Sequence, residues 1–325
     1  VARGTTNRIA RRSLLFGAAA LLGALLSGAC ASPGGNGTVH TPIPGTPLSP
    51  GAQAAVERVK ADPARVAELL PLFATEDNEK LVRVVSTLGD GAVPPLVKVL
   101  SDPKGKYAEE AAGLLGELKS PASVPALSAY LAGKGQGRYA AAWALGEIRD
   151  PSSLPQLIST LSDPGEAVVK ASTRALVNFG TKATPALAEA LPASSGRARK
   201  AMLRALEDIE DVRAEDAVLK VLETEKDPSV KAAAARALSK CGTAKSYAPL
   251  ERWLLDGPTE VRVESAWSLG ILVAKPAEGA LRKTLEDPDV NVREWSARAL
   301  ENIAGERILY RDAKGKMILP YNLYR

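Results

Sequence analysis

Asp287-Pro288-Asp289-Val290-Asn291-Val292-Arg293 runs into Ala297-Arg298-Ala299-Leu300, and the reading of this stretch decides the fold. Proline stops a helix before it, and aspartate accepts from the free N–H groups at the start of the next. Small side chains and a leucine follow at helical spacing. Asp102-Pro103, Asp163-Pro164 and Asp227-Pro228 repeat the same turn upstream.

The recurrence has one period. Leu70, Leu100, Leu131, Leu161, Leu191, Leu222, Leu254 and Leu285 close successive first helices at steps of 30 to 32 residues. Leu88, Leu115, Leu145, Leu176, Leu206, Leu238, Leu269 and Leu300 mark the second helices at the same spacing, after a first step of 27. Two ladders with one period predict stacked helical hairpins. Several first helices follow a proline, as at Pro94-Pro95, Pro125 and Pro155, where its missing N–H would have had no partner. Second helices carry Ala140-Ala141-Ala142, Ala232 to Ala235 and Ser296-Ala297, small enough for close helix approach.

These residues resemble HEAT repeats, above all the short type named after bilin-lyase proteins. The best matches are the opening stretch and Ala142-Trp143-Ala144-Leu145-Gly146-Glu147-Ile148, and the resemblance spans residues 55–304. It implies an all-α fold, an α-solenoid of about eight HEAT-like helical hairpins with the second helices on the concave side. It speaks to fold more than function, since such repeats serve enzymes and inert scaffolds alike.

Composition narrows the function classes. The hydrophobic fraction is 46% but aromatics only 4%, as in closely packed Ala/Leu/Val helices. The net charge of +5 is concentrated at the N-terminus, where Arg3, Arg8, Arg11 and Arg12 stand among 29 residues without an acid. The repeats themselves are nearly balanced, so no general footprint for DNA or RNA is expected. With two cysteines, Cys30 and Cys241, and one histidine, His40, neither a disulfide framework nor a zinc site nor a Cys–His or Ser–His–Asp constellation is expected. No catalytic residues, metal or cofactor are assigned.

The N-terminus reads as an address. Basic Arg8, Arg11 and Arg12 precede an apolar run of 16 residues, Leu14 to Ala29, followed by small residues. That is the layout of a secretory signal, and the run is short for a membrane-spanning helix, which needs about 20 apolar residues. An uncleaved anchor is the alternative. Leu26-Ser27-Gly28-Ala29-Cys30 resembles a bacterial lipoprotein signal, with Ser27 where an aliphatic residue is usual. The resemblance implies lipid transfer to the Cys30 thiol and cleavage before it. Ala29-Cys30-Ala31 also reads as a site for ordinary signal peptidase, and Arg11-Arg12 as a degenerate twin-arginine signal. The expected organisation is signal peptide 1–29, Pro/Gly-rich tether 30–51, repeats 52–304 and a C-terminal tail 305–325. The expected location is a bacterial cell envelope, the chain a monomer held by its lipid.

Two rows of side chains are candidates for function. Seven residues before second-helix leucines stand Arg138, Arg199, Lys231, Arg262 and Arg293, a structural basic ladder that in HEAT proteins pairs with turn acids of neighbouring units. Two residues before the same leucines stand Gly113, Trp143, Arg174, Arg204, Arg236, Trp267 and Arg298. Tryptophan and arginine in register are good anchors for a partner. The competing reading is a solvated face with intrahelical pairs such as Arg204–Asp208. Cys241 falls in a core slot and is expected to be an inert buried thiol. After Gly305, Arg307 to Pro320 reads as a short β-hairpin around Lys314-Gly315, followed by Tyr321 and Tyr324; it is expected to cap the last repeat, with a partner-docking tail as the alternative.

The expected function is a non-enzymatic, membrane-tethered scaffold that presents its concave face to an unidentified protein partner. The alternatives are a cofactor-handling or lyase-like enzyme, by analogy with bilin lyases and HEAT-like hydroxylases or glycosylases, and a purely structural envelope protein. The hydroxylase type uses His-Glu metal pairs that this sequence lacks, and the glycosylase type a basic DNA cleft that its charge balance opposes.

Overall fold

The computed structural model describes residues 45–102, 105–194 and 196–320. The predicted signal, Cys30, His40, Tyr321 and Tyr324 lie outside them. The chain forms two compact units, one up to Gln156 and one from Leu157 onward.

In the first unit, α1 (Pro50–Ala61) packs on a run of 3-10 turns, Pro63–Ala74, which serves as the first arm of a hairpin with α2 (Asn78–Leu88). Helix α1 begins two residues inside the segment expected to be tether. Ser49 caps it through Ala52 N at 3.3 Å and also donates to Glu76 from its backbone N–H at 3.1 Å. The hairpins α3 (Val93–Leu100) with α4 (Ala108–Leu118) and α5 (Val124–Ala132) with α6 (Arg138–Ile148) follow. Helix α7 (Leu154–Ser159) leads to α8 (Glu166–Phe179). The second unit continues with α9 (Thr184–Ala190) and α10 (Gly196–Ile209), α11 (Glu215–Thr224) and α12 (Pro228–Cys241), α13 (Tyr247–Asp256) and α14 (Thr259–Ile271), and α15 (Glu278–Lys283) and α16 (Val290–Ala304). These are the helical hairpins of an α-solenoid, closed by a small antiparallel pair, β1 (Tyr310–Arg311) and β2 (Met317–Ile318).

Fourteen of the sixteen ladder leucines are buried; Leu88 and Leu285 are half-exposed. Leu88 was the wrong member. Val85 is fully buried, and counting from it turns the odd first step of 27 into the regular 30. Leu285 is in register and lies in the last of the described hairpins. The Asp-Pro turns also divide their work. Asp227, Asp163 and Asp287 each accept from the backbone N–H two residues on, at 2.9, 2.8 and 2.8 Å, but only Asp227 stands at the N-cap of the helix that follows. In the last repeat Asp289 is the cap, accepting from Asn291 N at 2.8 Å.

Small residues set the spacing between second helices. A Cβ added at Gly116 would lie 2.8 Å from Ala144 Cα, and one at Gly270 would lie 2.8 Å from Ala299 Cα. Within the hairpins α7/α8 and α15/α16, buried hydroxyl pairs Thr160–Ser172 and Thr284–Ser296, each at 2.7 Å, occupy equivalent places. The hairpin α13/α14 has Trp253 and Ser265 there instead, and neither indole Nε1 nor Ser265 Oγ finds a partner. Cys241 is fully buried, and burial pushes its thiol up to about 12. The terminal β-hairpin turns at Asp312–Gly315 and packs on α16, with Ile308 and Tyr310 buried.

Candidate functional site: the second-helix face

The basic ladder is tied into the backbone. Arg138 donates to Leu131 O, Arg199 to Pro192 O and Ser194 O, Arg262 to Gly257 O, and Arg293 to Asp287 O and Pro288 O. Each guanidinium thus satisfies carbonyls at or beyond the end of its hairpin's first helix, where the helix dipole favours a cation. Arg199 and Arg262 also reach the turn acid of the next repeat. Arg199 pairs with Glu225, and Arg262 holds Asp287 through two bonds of 2.9 Å. Arg293 instead donates to Arg311 O at 2.7 Å and Asp312 O at 3.2 Å, fastening the β-hairpin to α16. Lys231 departs from the pattern: its ammonium lies 3.5 Å over the Trp253 ring, and burial lowers its pKa.

The Trp/Arg row divides by unit. In the first unit Trp143 is half-buried, with its ring packed over the glycine at 116. Around it on α4 and α6 stand carboxylates. Burial raises the pKa of Glu110, and burial and then Glu147 raise that of Glu117. Lys119 reaches Glu147 at 3.2 Å.

In the second unit the row holds Arg174, Arg204, Arg236, Trp267 and Arg298, on α8, α10, α12, α14 and α16 respectively. Arg236 is neutralised twice, by Glu207 at 3.1 Å and Glu264 at 3.4 Å, and stacks over Trp267 with its guanidinium 4.6 Å from the ring centre. Arg298 pairs with Glu294 at 2.5 Å and lies over Trp295 at 4.5 Å. Two arginines of the row are therefore parts of built clusters. Arg174 and Arg204 are exposed and make no hydrogen bond or ion pair among the described residues, and the intrahelical pair Arg204–Asp208 does not form.

A groove of about 770 Å³ crosses α12, α14 and α16 beside these clusters. Its apolar surface comes from Ala232, Ala233, Val263 and Trp295, and its charges from Arg236, Glu260 and Glu264. Burial raises the pKa of Glu264, against the pull of Arg236. Glu260 is exposed and has no ion partner among the described residues. The sequence reading missed Trp295, Glu260 and Glu264. Trp295 stands three residues before Arg298, and Glu264 three before Trp267, so both share the row's helical face. Among the described residues no group of three or more His, Cys, Asp and Glu is placed to hold a metal ion, and no helix is long and apolar enough to cross a membrane.

Residues 132–200 and 184–270 match a family model described as HEAT repeats, in agreement with the geometry of the hairpins. No curated protein matches the chain. Among solved structures, the chain is similar to the complex of CpcE and CpcF of phycocyanin lyase from Nostoc, at 26% identity and a TM-score of 0.43, over 47% of this chain and 99% of that one. It is also similar to human deoxyhypusine hydroxylase, at 22% identity and a TM-score of 0.34, over 79% of this chain and 99% of that one. These are HEAT-like repeats, and scores below 0.5 carry neither neighbour's chemistry to this chain.

Proposed function

We propose that this protein is a membrane-tethered scaffold that binds a protein partner in the groove over α12, α14 and α16. One observation carries the reading: an apolar floor of alanine and valine is walled by Trp295 and flanked by the Arg236–Trp267 stack. Aromatic and arginine side chains held rigid by their neighbours lose little freedom on binding, which makes them good anchors. The tether is a lipid on Cys30 of an exported bacterial chain, a reading supported by the basic and apolar segments ahead of that cysteine.

Crosslinking and pull-down from native membranes with the full chain test the groove. Trp295→Ala should weaken partner capture by about 2 kcal/mol, roughly thirtyfold in affinity, with helicity unchanged. Unaltered capture by this variant and by Val263→Asp would remove the groove as the seat. Cys30→Ala should move the chain to the soluble fraction; if it stays with the membrane, lipid is not the tether.

A further inference from the structure

The groove adjoins a surface of opposite character. On α8 and α10 the positions six and two residues before the ladder leucine hold Lys170 with Arg174, and Lys200 with Arg204. All four are exposed, as is Arg197. Like charges at i and i+4 repel on one helix face, and the arrangement occurs here on two helices packed against each other. Half-buried Ala171 and Ala201 stand next to Lys170 and Lys200 in the chain. Glu166 pairs with Lys170, Asp227 lies near Lys200, and Arg197 donates to Asp163 O and Pro164 O, which leaves Arg174 and Arg204 as the exposed arginines of this face without an ion pair among the described residues. Farther along the same rows the pattern reverses: Arg236 faces two carboxylates, and Arg298 has Glu294.

We infer that the face of α8 and α10 is the docking surface for an acidic stretch of the protein partner, with Arg174 and Arg204 as its main contacts. The inference rests on the proposed scaffold reading and adds the partner's chemistry and its polarity. A carboxylate-bearing segment seated here would place its continuation over the groove, where Glu260 and Glu264 favour apolar and basic side chains. A nucleic acid fits poorly, because a phosphate backbone extended past α10 would meet Glu207, Glu264 and Glu260. Charge complementarity of this kind sets orientation and encounter rate more than raw affinity.

The test uses the full chain in detergent and a short fluorescein-labelled peptide with glutamates at one end and leucine, phenylalanine and lysine at the other. Binding by anisotropy should fall steeply with added salt, because exposed charges are screened beyond about 8 Å at physiological ionic strength. The double variant Arg174→Glu/Arg204→Glu should weaken it about tenfold or more and should favour the same peptide carrying lysines in place of the glutamates. Equal affinity of wild type and double variant, or tighter binding of a single-stranded oligonucleotide than of the peptide, would overturn the inference. If native-partner capture depends on Trp295 but is indifferent to the double variant, the inference fails and the scaffold reading stands. If peptide binding depends on the arginines but not on Trp295, the groove is wrong and the acidic-partner surface stands.

Discussion

The same helical row does different work in the two units. On α4 and α6 of the first unit it holds Gly113 and Trp143, and Trp143 is pressed onto Gly116 among half-buried carboxylates whose pKa values are raised. On α8 to α16 of the second unit it holds four arginines and a tryptophan. Each of that unit's three tryptophans has a cation of the chain over its ring: Lys231 on Trp253, Arg236 on Trp267 and Arg298 on Trp295. A repeated backbone therefore supplies a repeated position, and the neighbouring residues decide its use. Trp143 fills the space over Gly116, whereas Trp295 lines the groove and Trp267 carries the Arg236 stack.

The largest expected effects lie where second helices touch. Valine at Gly116 would drive its Cβ into Ala144 and the Trp143 ring; at Gly270 the nearest atoms its Cβ would meet are those of Ala299. Overpacking of this kind costs about 1–3 kcal/mol, and backbone on the far side gives little room to yield. Gly116→Val and Gly270→Val should each lower the urea midpoint accordingly. Only Gly116→Val should also shift Trp143 emission toward the red, read against a Trp143→Phe reference. An unshifted spectrum would mean that Trp143 is not seated on the glycine, and the contrast between the units would lose its basis.

A smaller effect separates the units by pH. Glu117 in the first unit has a pKa raised mainly by burial and then by Glu147. Its contribution to stability is present below the ordinary carboxylate pKa and is lost as pH rises through the higher folded value. Glu117→Gln should therefore stabilise the chain at pH 7 and change little at pH 4. Asp211 in the second unit has the opposite sign, its carboxyl held down to about 2 from 3.8 chiefly by its hydrogen bond with Arg213. Its contribution is present above pH 3.8 and fades as pH falls toward 2. Asp211→Asn should flatten the acid limb in that window. Denaturant midpoints measured across pH 2 to 8 check both, and like signs for the two variants would break the comparison.

The hairpins were legible because burial forces apolar residues to recur with the repeat, and the leucine ladders record that demand directly. Leu88 misled because one helical turn separates it from Val85, so both fall near the same face and only burial tells them apart. Within the basic ladder, Arg199 and Arg262 meet turn acids ahead of the next helix, whereas Lys231 lies on Trp253 and Arg293 takes backbone carbonyls, a difference that spacing alone does not carry. The site was legible only in part. Arg204–Asp208 has good intrahelical spacing, yet the ion pairs that form around Arg236 reach Glu207 and Glu264, 29 and 28 residues away. Closely packed second helices bring those carboxylates nearer than sequence spacing suggests. Trp295 lies off the repeated row, three residues before Arg298, and only the helical i, i+3 relation brings it onto the same face.

The smallest expected effect concerns the turns that close second helices. Four residues after the ladder leucine the chain adopts a left-handed conformation at Arg149 in the first unit, φ 58°, and at Val273 in the second, φ 50°. At the corresponding turn Gly180 has φ 59°, and Gly89 has the same value four residues after Val85. A Cβ in this region crowds the following carbonyl, and a β-branched side chain suffers most. Val273 is 47% exposed, so its side chain returns little burial for that strain. Val273→Gly should therefore raise stability by about 1 kcal/mol, net of the extra freedom glycine brings to the unfolded chain. Arg149→Gly should gain less, since an unbranched side chain tolerates the turn better. Equal gains at both positions, measured by urea denaturation, would show that branching at Val273 adds no strain.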